Sequence, residues 1–322
     1  MKRLGFLLVA LALLAAAAFL VVPSFFGEAT IEEETPFMVR SGSLLSSVAA
    51  DLEEQGLVSS ADGFLLRARL LGSDDPIQAG EFLLTPQMSQ ANILTAFQSG
   101  DVIRRFVTVP EGMPSILVWE RLMAQDLLTG EIEVPEEGSL LPDTYAFERG
   151  QNRAEIVAQM QEAMDTFLAE AWANRADDIA VDSPEEAVTL ASIVEKESGV
   201  PEERPTVAGL YSNRLGEGMM LQADPTIIYP ITRGKPLGRR ILRSEIDAVN
   251  AYNTYSMTGL PEGPITNPGR QSILAVLDPE DHDYLYMVAD GTGGHEFNAT
   301  LAEHNEAVAR WFAIRRKRGE LD

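Results

Sequence analysis

From Leu4 to Val22 the chain carries no charged residue, and no other feature limits its architecture as strongly. Nineteen residues of this kind, coiled into one helix, span about 28 Å, the thickness of a bilayer's hydrocarbon core. Lys2 and Arg3 precede the run and would stay on the cytoplasmic side. A cleaved signal peptide is the competing reading, because Ala15–Ala18 offers small residues at a cleavage point. The apolar run nevertheless continues through Phe19, Leu20, Val21 and Val22 and stops only at Pro23, which favours a retained single-pass anchor. Under either reading, everything after about Pro23 is expected outside the cytoplasm.

The remaining length is enough for two domains, one with a sizeable core. Three histidines and no cysteine give no support to a structural zinc site or a disulfide framework. Asp290, His295 and His304 are ligand types, but their spacing fits no known metal pattern, so neither metal nor cofactor is expected. A net charge of -24 argues against nucleic acid as a partner and against adsorption to anionic lipid. The chain has no G-x-G-x-x-G, P-loop, G-x-S-x-G or H-E-x-x-H, which removes the usual nucleotide, hydrolase-triad and zincin readings.

Hydrophobic spacing predicts an α+β fold. After a loosely patterned acidic linker, residues 23–35, the order is a strand at Pro36–Arg40, helices at Leu44–Gln55 and Ala61–Leu71, a strand at Gly80–Thr85 and a helix at Ser89–Ser99 closed by Gly100. Residues 36–100 thus form a small module. Residues 101–322 read as a larger mixed α+β domain. It holds a strand at Arg104–Val109, a helix at Ser115–Asp126, an extended segment at Gly138–Phe147 and a long amphipathic helix at Ala154–Arg175. Further on come a helix at Pro205–Leu215, a strand-like Thr226–Tyr229, a short helix within Arg239–Ile246, a buried strand at Asp283–Ala289, a hairpin-like turn at Gly291–Asn298 and a closing helix at Leu301–Lys317.

One helix carries chemistry. Ser183 is a suitable N-cap, Pro184 suits the first helical position, Glu186 completes a capping box, and Gly199 with Pro201 ends the helix. On a helical wheel Ala187, Leu190, Ile193 and Val194 share one face, with Thr189, Ser192 and Lys196 opposite. Glu197 falls on the apolar face, and Glu195 at its edge. Desolvation and the C-terminal end of the helix dipole both disfavour a carboxylate at Glu197, which raises its pKa towards the range a general acid needs. A solvated EKE run that merely ends a helix accounts for Glu195 and Lys196, but not for Glu197.

Two loops supply candidate binding groups. Gln222 and Asp224 follow an apolar Met219–Leu221 patch, and residues 250–269 concentrate Tyr252, Asn253, Thr254, Tyr255 and Asn267 among turn formers. Tyrosine rings stack on sugar faces and amides bond hydroxyl and N-acetyl groups, while a purely structural loop tied by side-chain hydrogen bonds remains the alternative. The later hairpin turn delivers His295, Phe297 and Asn298.

Taken together, ASIVEKES, ERPTVAGLYSNRL, GMMLQADPTIIY, AYNTYSMTGLPEGPITNPG and YLYMVADGTGGHEFNATLAEHN resemble the endolytic murein transglycosylase family, the YceG-like proteins, in unbroken order over roughly residues 185–310. The segment VRSGSLLSSVAADLEEQGLV resembles the start of a LysM-type glycan-binding module, with a ligand-free structural subdomain as the alternative. The resemblance implies a lyase held in the inner membrane by a single span, its bulk in the periplasm. Its substrate would be nascent peptidoglycan strands, cut between N-acetylmuramic acid and N-acetylglucosamine to leave 1,6-anhydromuramic ends, and a peptidoglycan synthase would be a second partner. It implies Glu197 as the catalytic acid and Gln222, Asp224, Tyr252, Asn253, Tyr255, His295 and Asn298 as residues near the substrate. Two other readings stay open: a lysozyme-type hydrolase pairing Glu197 with Asp224, and a non-catalytic glycan-binding scaffold.

Overall fold

The computed structural model describes residues 2–27 and 30–320. The fold is mixed α+β, with helices around three separate two-stranded sheets among the described residues. The chain divides into two compact units, residues 1–105 with 146–150 and residues 106–145 with 151–322.

In the first unit the N-terminal helix α1 (Lys2–Phe26) precedes β1 (Thr35–Val39). Helices α2 (Leu45–Glu54) and α3 (Ala61–Leu71) follow, then β2 (Gly80–Leu84) and α4 (Gln90–Ser99). The two strands pair antiparallel with Phe37 opposite Phe82. Strand alternation turns Phe37, Val39, Phe82 and Leu84 to one side, where Val48, Leu52, Phe64, Ile93 and Phe97 complete a core. The Phe97 ring sits 5.6 Å from that of Phe37 and 4.9 Å from that of Phe82. Gly100 closes α4 with φ +72°, a backbone conformation that a side chain would resist.

Two expectations for the N-terminus need restating. Within the stretch 23–35, read as a linker, α1 runs on to Phe26, and Phe25 and Ile31 are buried in this core. Among the described residues no helix is long and apolar enough to cross a membrane. Much of the run on which that expectation rests, Leu4–Leu8 and several positions up to Leu20, has side chains outside the described residues.

From Arg105 onward the order is β3 (Arg105–Thr108), α5 (Ser115–Met123), β4 (Thr144–Phe147), α6 (Arg153–Ala173), α7 (Pro184–Glu197) and a 3-10 turn at Pro201–Glu203. Then come α8 (Arg204–Gly216), α9 (Asp224–Thr232), α10 (Arg243–Ile246), α11 (Arg270–Leu277), β5 (Tyr286–Ala289), β6 (His295–Asn298) and α12 (Leu301–Lys317). Helix α7 is the axis of the second unit, packed by α6, α8 and α11. Its core partners include Met164, Val207, Leu210, Ile273 and Val276.

The two-faced wheel expected for α7 is not what forms. Every residue from Ala187 to Val194 is buried, Thr189 and Ser192 included. Their hydroxyls are satisfied locally, Thr189 Oγ1 on the Glu185 carbonyl (2.9 Å) and Ser192 Oγ on that of Thr189 (2.7 Å), and Ser192 Oγ accepts the Ile265 amide (3.0 Å). Hydroxyls paired in this way can be buried at little cost. Residues Thr226–Tyr229 are helical rather than strand-like, because Pro225 starts α9 at a position where its missing N–H costs nothing. Helix α11, for which the sequence reading makes no assignment, is buried along one side. Strand β5 is half-buried, not buried, and pairs antiparallel with β6, Ala289 opposite His295.

Candidate active site around Glu197

The last turn of α7 sends three consecutive side chains in three directions. Ser183 caps the first turn by accepting the Glu186 amide (3.2 Å), while the Glu186 carboxylate takes the Asp182 amide (2.7 Å) rather than that of Ser183. At the other end Lys196 is exposed, its Nζ 3.4 Å from the Gly112 carbonyl. Glu195 is not solvated: its side chain is 5% exposed. It accepts Arg204 (3.2 Å), the Gly269 amide (3.0 Å) and the Ser272 hydroxyl (2.6 Å). Glu195 thereby ties α7 to the starts of α8 and α11.

Glu197 points instead into an open cleft of about 230 Å³ that also involves Tyr211, Arg214, Gln222, Asp224, Tyr255 and His295. Burial, and then the charge of Asp224, push its pKa up from 4.5 to about 7, against a smaller opposite effect of Arg214. A sizeable share of these carboxyls therefore holds a proton at neutrality, the state required of a general acid. Arg214 lies close by, its Nε donating to the Leu285 carbonyl and its Nη1 to that of Leu221, each at 2.6 Å. Burial raises the Tyr211 hydroxyl well above its ordinary range, so it stays protonated.

The opposite wall rests on a strap of hydrogen bonds. Thr254 accepts the Ala223 amide on its hydroxyl (3.0 Å) and the Gln222 amide on its carbonyl (3.1 Å). Gln222 takes φ +52°, a left-handed conformation costly for a residue with a Cβ. That kink leaves Gln222 and Asp224 exposed at the cleft, and the Tyr255 hydroxyl donates to Asp224 Oδ1 (2.7 Å). On the far side, Glu203 accepts both the His295 amide and His295 Nδ1, each at 2.8 Å.

Five of the residues expected from sequence, Glu197, Gln222, Asp224, Tyr255 and His295, thus meet in one cleft. Three others lie elsewhere. Asn253 is fully buried, its amide donating to the carbonyls of Ile246 (2.9 Å) and Ala248 (2.6 Å) while its Oδ1 accepts the Tyr255 amide (3.0 Å). Tyr252 packs on Tyr229, ring centroids 4.8 Å apart. Asn298 is buried in β6, its Oδ1 without a hydrogen-bond partner. Asn267 is likewise internal, bonded to Met113 and Leu140. Much of the polar loop 250–269 is therefore framework.

Sequence reasoning passed over Tyr211, Arg214 and Glu203. Tyr211 reads as a core residue of α8, and Arg214 and Glu203 are given no role of their own. The three-position separation of Tyr211 and Arg214, which puts them on one helical face, was the available signal.

The YceG-like family profile matches residues 37–310. The chain is 27% identical over 317 aligned positions to the endolytic murein transglycosylase of Bacillus subtilis strain 168, covering 87% of this chain and 85% of that one. It is 28% identical to the endolytic murein transglycosylase of Streptococcus pneumoniae serotype 2, covering 84% of this chain and 57% of the relative. A crystal structure of a YceG-like protein from Listeria monocytogenes superposes with a TM-score of 0.52 at 27% identity, over 85% of this chain and 99% of that one. With a profile match over most of its length, and relatives and a solved structure that agree with it, the chain belongs to the YceG-like family.

Proposed function

We propose that the protein is an endolytic peptidoglycan lytic transglycosylase with Glu197 as its acid. The observation that carries this reading is one carboxyl, Glu197, raised to about 7 by burial and by the charge of Asp224 in the same cleft, where Tyr211, Arg214, Gln222, Tyr255 and His295 supply further polar groups. Protonated Glu197 gives its proton to the oxygen of the bond between N-acetylmuramic acid and N-acetylglucosamine. As that bond breaks, positive charge grows at the anomeric carbon, and the Asp224 carboxylate and the substrate's N-acetyl oxygen stabilise it. Glu197, now a carboxylate, takes the proton from the C6 hydroxyl, whose oxygen closes the 1,6-anhydro ring. One carboxyl acts twice and no water is consumed.

Gln222, Tyr255 and His295 orient the sugar, while Asn253 acts indirectly by fixing the Tyr255 backbone. Cutting nascent strands in this way limits their elongation. A single-pass anchor through Leu4–Val22, with the bulk of the chain in the periplasm beside a peptidoglycan synthase, completes the proposal. It is supported by the length of the uncharged run and by Lys2 and Arg3 before it.

The test is product mass. The full chain in detergent is incubated with uncrosslinked glycan strands beside Glu197→Gln. Anhydro products, about 18 Da lighter than hydrolytic ones and lost in the variant, are expected. Water-added products would instead point to the lysozyme-type pairing of Glu197 with Asp224, and full activity of the variant would remove Glu197 from the chemistry.

A further inference from the structure

Glu203 closes the 3-10 turn directly before α8, the helix that also brings Tyr211 and Arg214 to the cleft. Its two carboxylate oxygens divide between two groups of one residue: Oε1 accepts the His295 amide and Oε2 faces His295 Nδ1. The neighbouring Gly294 leaves room for this grip, since a Cβ there would collide with Glu203 Oε1. The pair is largely buried, each side chain 18% exposed. The turn before His295 is fixed as well, with Asp290 accepting both the amide and the hydroxyl of Thr292 at 2.7 Å.

A carboxylate accepts hydrogen bonds and cannot donate them, so Nδ1 must carry the hydrogen. In the neutral ring the lone pair then lies on Nε2, at the opposite edge of a side chain that lines the cleft. We infer that Glu203 is a positioning residue that locks His295 in its Nδ1–H form, so that Nε2 meets the substrate as a hydrogen-bond acceptor for a sugar hydroxyl. This rests on the cleft being the site of a glycan strand. Sugars present many hydroxyl donors, and the other cleft groups include two that donate, Tyr211 and Arg214. An acceptor fixed in orientation adds a requirement that a freely rotating ring would not impose.

Glu203→Gln tests the assignment with little change of shape. The amide oxygen still accepts the His295 backbone N–H, while the amide nitrogen donates to Nδ1 and drives the ring hydrogen to Nε2, turning acceptor into donor. With full-length protein and uncrosslinked glycan strands, kcat/KM is expected to fall roughly ten- to hundredfold. His295→Asn, which keeps a donor near the Nδ1 position but has no Nε2, should lose a similar factor. Nitrogen-15 NMR of histidine-labelled protein at pH 8 reads the tautomer directly. The chain has three histidines, and the His295 signals are those missing from His295→Asn. The wild type should show hydrogen on Nδ1, and Glu203→Gln hydrogen on Nε2.

A wild type that releases no anhydro product refutes the transglycosylase reading, whatever the nitrogen shifts. A wild type that does release it, but carries its His295 hydrogen on Nε2, overturns the role of Glu203. So does a folded Glu203→Gln, or a His295→Asn, with wild-type kcat/KM. Should Glu203→Gln fail to fold, the wild-type spectrum and His295→Asn decide alone.

Discussion

Replacing Glu197 by Gln should make the protein more stable at pH 8 while removing its activity. The carboxyl has a pKa of about 7 in the folded chain against an ordinary 4.5. Folded protein therefore holds a proton that the unfolded chain releases between those values, so stability falls as pH rises from about 4.5 to about 7 and stays lower above. At about 1.36 kcal/mol per pH unit the full effect is roughly 3 kcal/mol, and relaxation around the charged form reduces it towards ~2. An amide of nearly the same shape carries no charge and escapes the penalty. For a unit of about 200 residues this corresponds to a Tm increase of roughly 4–10 °C at pH 8, with almost none at pH 4, where both proteins are neutral at this position. Glu137 is also raised to about 7 by burial. It is present in both proteins, so the difference between them isolates Glu197. Thermal melts of the pair at the two pH values are the assay, alongside cleavage rates, which should fall at least about a hundredfold. A variant no more stable at pH 8 than at pH 4, relative to wild type, would mean that Glu197 is not held neutral by its surroundings, and the acid role would go with it.

Other consequences can be checked as directly. The kcat/KM for glycan cleavage should fall above about pH 7 as Glu197 ionises, and Asp224→Asn should move that fall to lower pH by removing the neighbouring charge; a profile flat to pH 9 refutes both. Glu195→Ala strips Arg204, the Gly269 amide and the Ser272 hydroxyl of a shared partner and should cost roughly 2–4 kcal/mol in urea denaturation. A loss under ~1 kcal/mol would make Glu195 dispensable to the packing. Gly209→Ala would stabilise an ordinary helix by about 1 kcal/mol. Here the new Cβ meets the Glu280 carbonyl and lies 2.7 Å from His282 Nε2, so a lower Tm is expected and a higher one contradicts the packing of α8.

Where neighbouring signals agreed, the sequence was readable almost to the residue. Helices α3 and α12 span the expected limits, Ser183 caps α7, and Gly100 closes α4. The misreadings come from short segments. The run Ile273–Leu277 has too few residues for its period to separate helix from strand, and Pro264, Pro268 and Gly269 before it suggest only turns. In Thr226–Tyr229 the β-branched residues outweighed the Asp224–Pro225 helix start. Within the candidate site, the burial of Glu197 was legible because the apolar residues that precede it lie within one helix. Glu203 was not, because its partner lies in a hairpin that only the tertiary fold brings near. For the same reason Asn253 and Asn267 resemble sugar ligands in the sequence, while in the fold they fasten backbone.

The cleft draws its walls from α7, α8, the turn before α9, the loop at Tyr255 and the β5–β6 hairpin, which begins some ninety residues after Glu197. During synthesis Glu197 exists long before these surroundings do. Until the final hairpin docks, Glu197 lacks the burial that lifts its pKa, and in water a glutamate is ionised at neutral pH and has no proton to give. Contacts between such distant segments form late in folding. An enzyme that cuts the polymer enclosing the cell is thus inert as an unfinished chain.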